Sequence, residues 1–175
     1  MRHAEAEVDP SLPAREWALS AAGVVASARC GQLLVSHGWS GARVVSSDEH
    51  KALQTANGIS SCTGSEVRHD ARLAEVGGRQ WLNNGYGQAA ADFLSGLDVA
   101  GWEQRAAVSV RMHEAVGDGS SDGRCILVSH GLSLSVLVSQ LFPDVDAVAY
   151  WHGLQFPDAW SIDADGSFGR LSDRK

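Results

Sequence analysis

Apolar positions along the chain follow two rhythms, and their alternation predicts both helices and strands. From 20 to about 34 the sequence is rich in Ala, Val and Leu, with Val24, Val25, Ala28 and Leu33 at helical spacing. Ser20 supplies the side-chain oxygen that a helix N-terminus needs. Arg43-Val44-Val45-Ser46 has strand character. Ser47 then leads into Asp48 and Glu49, two acids where a helix start favours negative charge, so a strand and then a helix through about Thr55 are expected. A second short strand is read at 66–69. Between 70 and 86 no period holds, and Gly77, Gly78, Asn83, Asn84 and Gly85 mark a long loop of the functional kind. Helical spacing returns at 87–94 and at 103–116, the latter with Val108, Met112, Ala115 and Val116 on one side. After a Gly/Ser/Asp connector at 117–123, Arg124-Cys125-Ile126-Leu127-Val128-Ser129 reads as a buried parallel strand, followed directly by an apolar helix at 132–141. The runs 159–163 and 167–171 flank Asp165-Gly166, a turn signal for a terminal hairpin. Strands alternating with helices mean an α/β fold with an antiparallel C-terminal edge.

Composition narrows the function more than the fold. The chain has 175 residues, enough for one domain with a real core, and 44% of them are hydrophobic against 20% charged. With 14 basic and 21 acidic residues the formal charge is −7, which argues against a nucleic-acid binder or a partner of anionic membranes, since both need a basic surface. No apolar run approaches the roughly 20 residues that span a bilayer, and no signal-peptide layout opens the chain, so a cytoplasmic protein is expected. Cys30, Cys62 and Cys125 form an odd set without a Cys-x-x-Cys pair and read as small buried hydrophobes. Lysine occurs only at Lys51 and Lys175, the other twelve basic residues being Arg, which draws attention to Lys51.

The residues that could carry chemistry come as an ordered set: Arg2-His3-Ala4-Glu5, then Ser46-Ser47 with Lys51-Ala52 and Gln54-Thr55, then Arg72-Leu73-Ala74-Glu75, then Val128-Ser129-His130-Gly131. An Arg-His pair alone means little, since Arg68-His69 is another. The set in this order resembles the histidine phosphatase, or phosphoglycerate mutase-like, superfamily from Arg2 to about Trp160. Trp17-x-Leu19-Ser20-x-x-Gly23, Gly101-Trp102-Glu103 and Phe156-Pro157-Asp158 are similar to its small-phosphatase branch. The resemblance implies a three-layer α/β/α sandwich with the site at the carboxyl ends of the strands. It also implies roles: His3, Glu75 and His130 as catalytic residues, and Arg2, Lys51 and His130 as the phosphate-binding ones. No metal and no cofactor is then required.

The chemistry of these side chains supports that reading. A phosphoryl group in transfer spreads negative charge over its equatorial oxygens, so it needs several fixed donors and an in-line nucleophile. Arg2, Lys51 and His130 could supply the donors, and a neutral His3 imidazole could attack phosphorus to form a phosphohistidine. One carboxyl group can protonate the leaving alkoxide and then activate water. Glu75 is the choice for it, with Glu103 and Glu5 as alternatives, Glu5 rather as a group that holds the first motif in place. Arg79, Trp81 and Tyr86 lie in the long loop and are candidates to roof the pocket and select the substrate.

Three departures from the family pattern stand out. Only Met1 precedes Arg2, so the first strand is expected to be truncated, its neighbours' ladder groups left unpaired or filled by another segment. Lys51 stands where the family pattern has Arg, which keeps the charge and loses the bidentate fork. Asp48, Glu49 and His50 replace more apolar residues, so the pocket rim is more acidic. Other motif-like stretches read as structure: Ser36-His37-Gly38 follows a helix, Gly85-Tyr86-Gly87 follows no strand, and Asp163-Ala164-Asp165-Gly166 fits a hairpin turn. The expected activity is metal-independent hydrolysis of a small phosphorylated metabolite. The alternatives are a phosphohistidine or phosphoprotein phosphatase, and a weak family member that binds a phosphorylated ligand without turnover.

Overall fold

In the computed structural model, residues 1–78, 85–120, 123–163 and 165–172 are described. The elements run α1 (Ala21–Ser36), β1 (Arg43–Ser46), α2 (His50–Thr63), β2 (Val67–His69), α3 (Tyr86–Leu94), α4 (Arg105–Ser120), β3 (Cys125–Val128), α5 (Gly131–Leu141), α6 (Ala147–Gly153), β4 (Trp160–Ile162) and β5 (Phe168–Arg170), with short 3-10 turns at Ala14–Glu16 and Ala71–Leu73. The fold is the expected α/β sandwich. Its parallel sheet has the order β2-β1-β3, with Val44 opposite Val67 and Ile126, and β4 and β5 form the antiparallel hairpin.

Alternation along the strands makes three layers. Val44, Ile126 and Val128 face a core that includes Cys30 and Leu34 of α1 and Ala52, Ala56 and Ile59 of α2. Val45 and Leu127 face the opposite core, built with Phe93, Val108, Met112, Leu132, Val136 and Ala147 of the four later helices. Burying both faces of a parallel sheet is what its near-continuous apolar strands require.

The sequence-based expectation for α1 is right in extent and wrong in face. Val24 and Val25 are 55% and 52% exposed, and the buried stripe is Gly23, Ser27, Cys30, Gly31 and Leu34. The reason is a close helix pair. A Cβ at Gly31 would lie 2.9 Å from the Cys62 Cβ, and one at Gly58 would lie 2.2 Å from the Ser27 Oγ, so small residues are what let α1 and α2 approach. Hydrophobicity alone cannot report such a seam. Two boundaries also move. Helix α2 runs past Thr55 to Thr63 and ends on left-handed Gly64, and α4 continues through the first part of the 117–123 connector. Helix α6 has no counterpart in the sequence reading, although Asp146 caps it by accepting the Ala149 N–H at 2.7 Å.

The truncated first strand is a bridge. Arg2 pairs in parallel with Ser129 and antiparallel with Asp158, which ties the end of β3 to the segment leading into β4. The Met1 nitrogen donates to the Leu127 carbonyl at 2.7 Å and the His3 N–H donates to the Ser129 carbonyl at 3.0 Å. Beside Met1, residues of β3 and β4 line an apolar slot with Leu34, Trp39 and Leu171. Arg2, Ser47, Asp70 and His130 all lie at or just past the carboxyl ends of this sheet, where an open α/β sheet leaves its crevice.

Candidate active site

Three backbone junctions deliver the central side chains. His3 follows the Arg2 bridge, Ser47 to Lys51 follow β1 into the first turn of α2, and His130 stands between β3 and α5 as the residue that caps α5. The Gln54-Thr55 motif fastens the first junction to the second. The Ala4 N–H donates to Thr55 Oγ1 at 2.9 Å, and the Leu19 N–H donates to Gln54 Oε1 at 2.6 Å. Glu5 is held against the start of α1, accepting the Ser20 hydroxyl at 2.9 Å, while its carbonyl accepts the Ser20 N–H.

His3 and His130 face each other with ring centroids 5.0 Å apart, and Phe156 lies 5.4 Å from His3 on another side. The His3 Nδ1 lies 2.7 Å from the Ala4 carbonyl, which can only accept, so Nδ1 carries the proton and Nε2 carries the lone pair. Burial holds the His3 pKa well below its usual value, helped by His130, Lys51 and Arg2 and opposed by the bond to Ala4. The ring is therefore neutral near pH 7 with its basic nitrogen available.

The cations are disposed differently. The Arg2 guanidinium lies 3.4 Å over the Phe156 ring and donates to the Leu154 carbonyl at 3.3 Å, and its buried Nε has no hydrogen-bond partner among the described residues. Burial lowers the Arg2 pKa, and Glu75, Tyr86 and Asp158 work against that. A buried guanidinium donor of this kind is costly unless an anion meets it. Gly131 packs under the Trp151 ring, which a Cβ there would meet at 3.3 Å, and beside Arg2 Cζ, which it would meet at an ordinary contact distance of 3.5 Å. Lys51 is 6% exposed, donates to the Ala14 carbonyl at 2.7 Å, and is in contact with the Glu49 carboxylate.

Glu49 is the residue whose place the sequence reading missed. It stood there only as part of an acidic rim, yet it is 6% exposed in the middle of the group. One oxygen pairs with Lys51, and the other accepts the Glu75 N–H at 2.9 Å and lies 3.6 Å from His130 Nε2. Ser47 completes the cluster, its hydroxyl bonded to His130 Nε2 at 2.9 Å and accepting the Glu49 N–H at 3.2 Å.

Glu75 sits at the head of α5. Its carboxylate accepts the N–H groups of Leu132 at 3.1 Å and Ser133 at 3.0 Å, together with the Ser133 hydroxyl at 3.2 Å, a placement that the helix N-terminus favours. Arg111 supports the approach to it, donating to the carbonyls of Arg72 at 2.6 Å and Ala74 at 2.8 Å. The same guanidinium takes up Glu103 at 2.8 Å. Burial would raise the Glu103 pKa, but Arg111 and the Gly77 N–H outweigh it and hold the carboxyl below its usual value. Glu103 is thus bound into an ion pair with Arg111, whereas the donors to Glu75 are amides and a hydroxyl.

Tyr86 opens α3 and packs beside Trp102 and Trp151, with ring centroids 6.0 and 6.4 Å away. Arg79 and Trp81 lie outside the described residues. His37 caps α1, its Nδ1 2.9 Å from the Leu33 carbonyl. Cys30, Cys62 and Cys125 are free. Among the described residues, no group of three or more His, Cys, Asp or Glu side chains is placed to hold a metal ion, and no helix is long and apolar enough to cross a membrane.

Comparisons with known proteins bear on the family and the fold. The model of the histidine phosphatase superfamily (branch 1) matches residues 1–162. No curated protein matches by sequence. Among solved structures, mycobacterial glucosyl-3-phosphoglycerate phosphatase in complex with inorganic phosphate superposes with a TM-score of 0.71 at 20% identity, over 97% of this chain and 92% of that one. A phosphoglycerate mutase from Bacillus anthracis gives 0.72 at 18% identity, over 98% and 89%. A phosphoserine phosphatase variant from Entamoeba histolytica bound to phosphoserine gives 0.66 at 21% identity, over 98% and 92%. At these identities the likeness is one of fold.

Proposed function

Since the chain belongs to the histidine phosphatase superfamily, we propose that it is a phosphomonoesterase that turns over through phospho-His3 and acts on a small phosphorylated metabolite. The observation that carries this reading is the tautomer of His3: with Nδ1–H committed to the Ala4 carbonyl and the ring kept neutral, Nε2 is a ready nucleophile. Nε2 attacks phosphorus as the ester P–O bond breaks. The leaving alkoxide takes a proton from the carboxyl group of Glu75, and the resulting carboxylate then takes one from water. That water attacks the phosphohistidine, the P–N bond breaks, inorganic phosphate leaves and the imidazole is restored.

Arg2, Lys51 and His130 hold the phosphoryl oxygens and offset the charge that builds on them. The Arg2 Nε donor is ready for an oxygen, and Phe156 fixes the guanidinium plane. Two of the structural neighbours act, by their names, on glucosyl-3-phosphoglycerate and on phosphoserine, both small phosphorylated molecules, which supports the same class here. Tyr86, with Arg79 and Trp81 ahead of it in the sequence, is the segment proposed to contact the leaving group.

The test is turnover of an aryl phosphate after chelator treatment by wild type and His3→Ala, with trapping of phosphoenzyme at alkaline pH. Turnover that survives chelation and vanishes in His3→Ala, with an acid-labile, alkali-stable phosphoenzyme, is the expected result. Equal turnover in both proteins would overturn the assignment of His3. A second reading, phosphate binding without turnover, draws on the engagement of Lys51 by Glu49 and Ala14, and tight phosphate binding with no phosphoenzyme would favour it.

A further inference from the structure

Three groups lie about the Glu49 carboxylate: the Lys51 ammonium, the Glu75 N–H and the His130 imidazole 3.6 Å away, while the Ser47 hydroxyl accepts the Glu49 backbone N–H. Lys51 and His130 are also two of the three groups proposed to grip phosphate. A carboxylate presents two oxygens on one carbon much as a phosphoryl group presents two on phosphorus, so the same donors serve either ligand.

Charge counting sharpens the point. The fixed cations of the cluster are Arg2 and Lys51, and the buried Glu49 carboxylate offsets one of them before any substrate enters. An arriving phosphate dianion meets a site whose positive charge is already reduced while Glu49 stays in place. Burial makes this costly, because Glu49 and Lys51 are both 6% exposed and little water intervenes to screen a third charge.

Resting on the phosphatase reading, we propose that Glu49 is a built-in competitor of the substrate: its carboxylate engages Lys51 beside His130 in the resting site and must be displaced by the phosphoryl group. Glu49 thereby sets the affinity of the site for anions and keeps free phosphate, the product, from lingering. It is a specificity-determining residue, selecting esters whose remaining contacts supply the binding energy for that displacement.

The experiment is calorimetric titration of inorganic phosphate into wild type, Glu49→Gln and Glu49→Ala, each checked for folding by circular dichroism, with aryl phosphate turnover measured in parallel. Glu49→Gln keeps the side chain's size and removes its charge, and phosphate is expected to bind on the order of tenfold more tightly, as loss of one like charge beside the anion implies. Adding Lys51→Met to Glu49→Gln should abolish that gain. Glu49→Ala serves where the glutamine variant fails to fold, and there added formate should compete with phosphate by refilling the vacated position. Phosphate binding that is unchanged or weaker in a folded Glu49 variant, with turnover still dependent on His3, overturns this inference and leaves the phosphatase reading standing. Absence of both phosphate binding and turnover in every protein overturns the two together.

Discussion

The Ala4 amide donates to Thr55 Oγ1 at 2.9 Å while the Thr55 hydroxyl donates to the Lys51 carbonyl at 2.7 Å, so one side chain joins the backbone after His3 to the backbone of Lys51. Thr55 is wholly buried. Thr55→Val keeps the shape and removes both bonds, leaving the Ala4 N–H unsatisfied. A loss of about 1–3 kcal/mol is expected in urea unfolding. Because the change frees His3 relative to Lys51, kcat should fall while KM for an aryl phosphate changes little.

Stability should fall in acid through His3. Its folded pKa is depressed, chiefly by burial and then by His130, Lys51 and Arg2, while in the unfolded chain it titrates near the ordinary histidine value. Below about pH 6.5 the unfolded state takes up a proton that the folded state refuses. The His3 contribution is therefore complete above that pH and declines below it, by at most about 1.4 kcal/mol per pH unit. Urea unfolding of wild type and His3→Gln between about pH 5 and pH 8 checks this. The wild-type curve should be the steeper one on the acid side, and parallel curves would refute it.

Glu75 and Glu103 are separated by substitution with Gln. Glu75→Gln is expected to reduce kcat by about 10²–10⁴-fold, the usual range for a lost proton-transfer group. Glu103 is committed to Arg111 and the Gly77 N–H. Glu103→Gln should lower the melting temperature and leave kcat within a few-fold of wild type. The reverse pattern would transfer the acid–base role to Glu103.

Gly31→Ala sets two effects against each other. Alanine in a helix interior is favoured over glycine by about 1 kcal/mol. Here the new methyl would lie 2.9 Å from the Cys62 Cβ and 3.1 Å from the Ile59 Cα, contacts that backbone movement alone relieves. Overpacking of this kind costs about 1–3 kcal/mol, so net destabilisation is expected by thermal unfolding.

Much of the fold was legible because its strands are short apolar runs bounded by turn chemistry, and because Val128-Ser129-His130-Gly131 marks the passage from β3 into α5. What escaped is set by tertiary approach. The seam of α1 is made of Gly23, Ser27 and Gly31, which no hydrophobic pattern distinguishes from a solvent face. Helix α6 is a seven-residue segment too short for a clear period, with the Asp146 cap as its signal. In the site, the ordered motifs placed His3, Lys51, Glu75 and His130 in one set, and the structure pairs Lys51 with the Glu49 carboxylate and sets His130 3.6 Å from it. Glu49 was read as a rim charge and Arg111 was not singled out, because their partners, the backbone of Glu75 and the carbonyls of Arg72 and Ala74, lie 26, 39 and 37 residues away.

The bridge at Arg2 has a kinetic meaning. Met1 and Leu127, which hydrogen-bond to each other, are 126 residues apart in sequence, so the strand pairing that seats His3 closes a long loop. Pairings of that span form slowly. On the ribosome, where chains grow at about 5–20 residues per second, Met1 and Arg2 wait roughly 6–25 seconds for their partners at the end of β3 to be synthesised. His3 is thus made long before the strand end that seats it, and a chain halted before Ser129 leaves the His3 N–H without that partner.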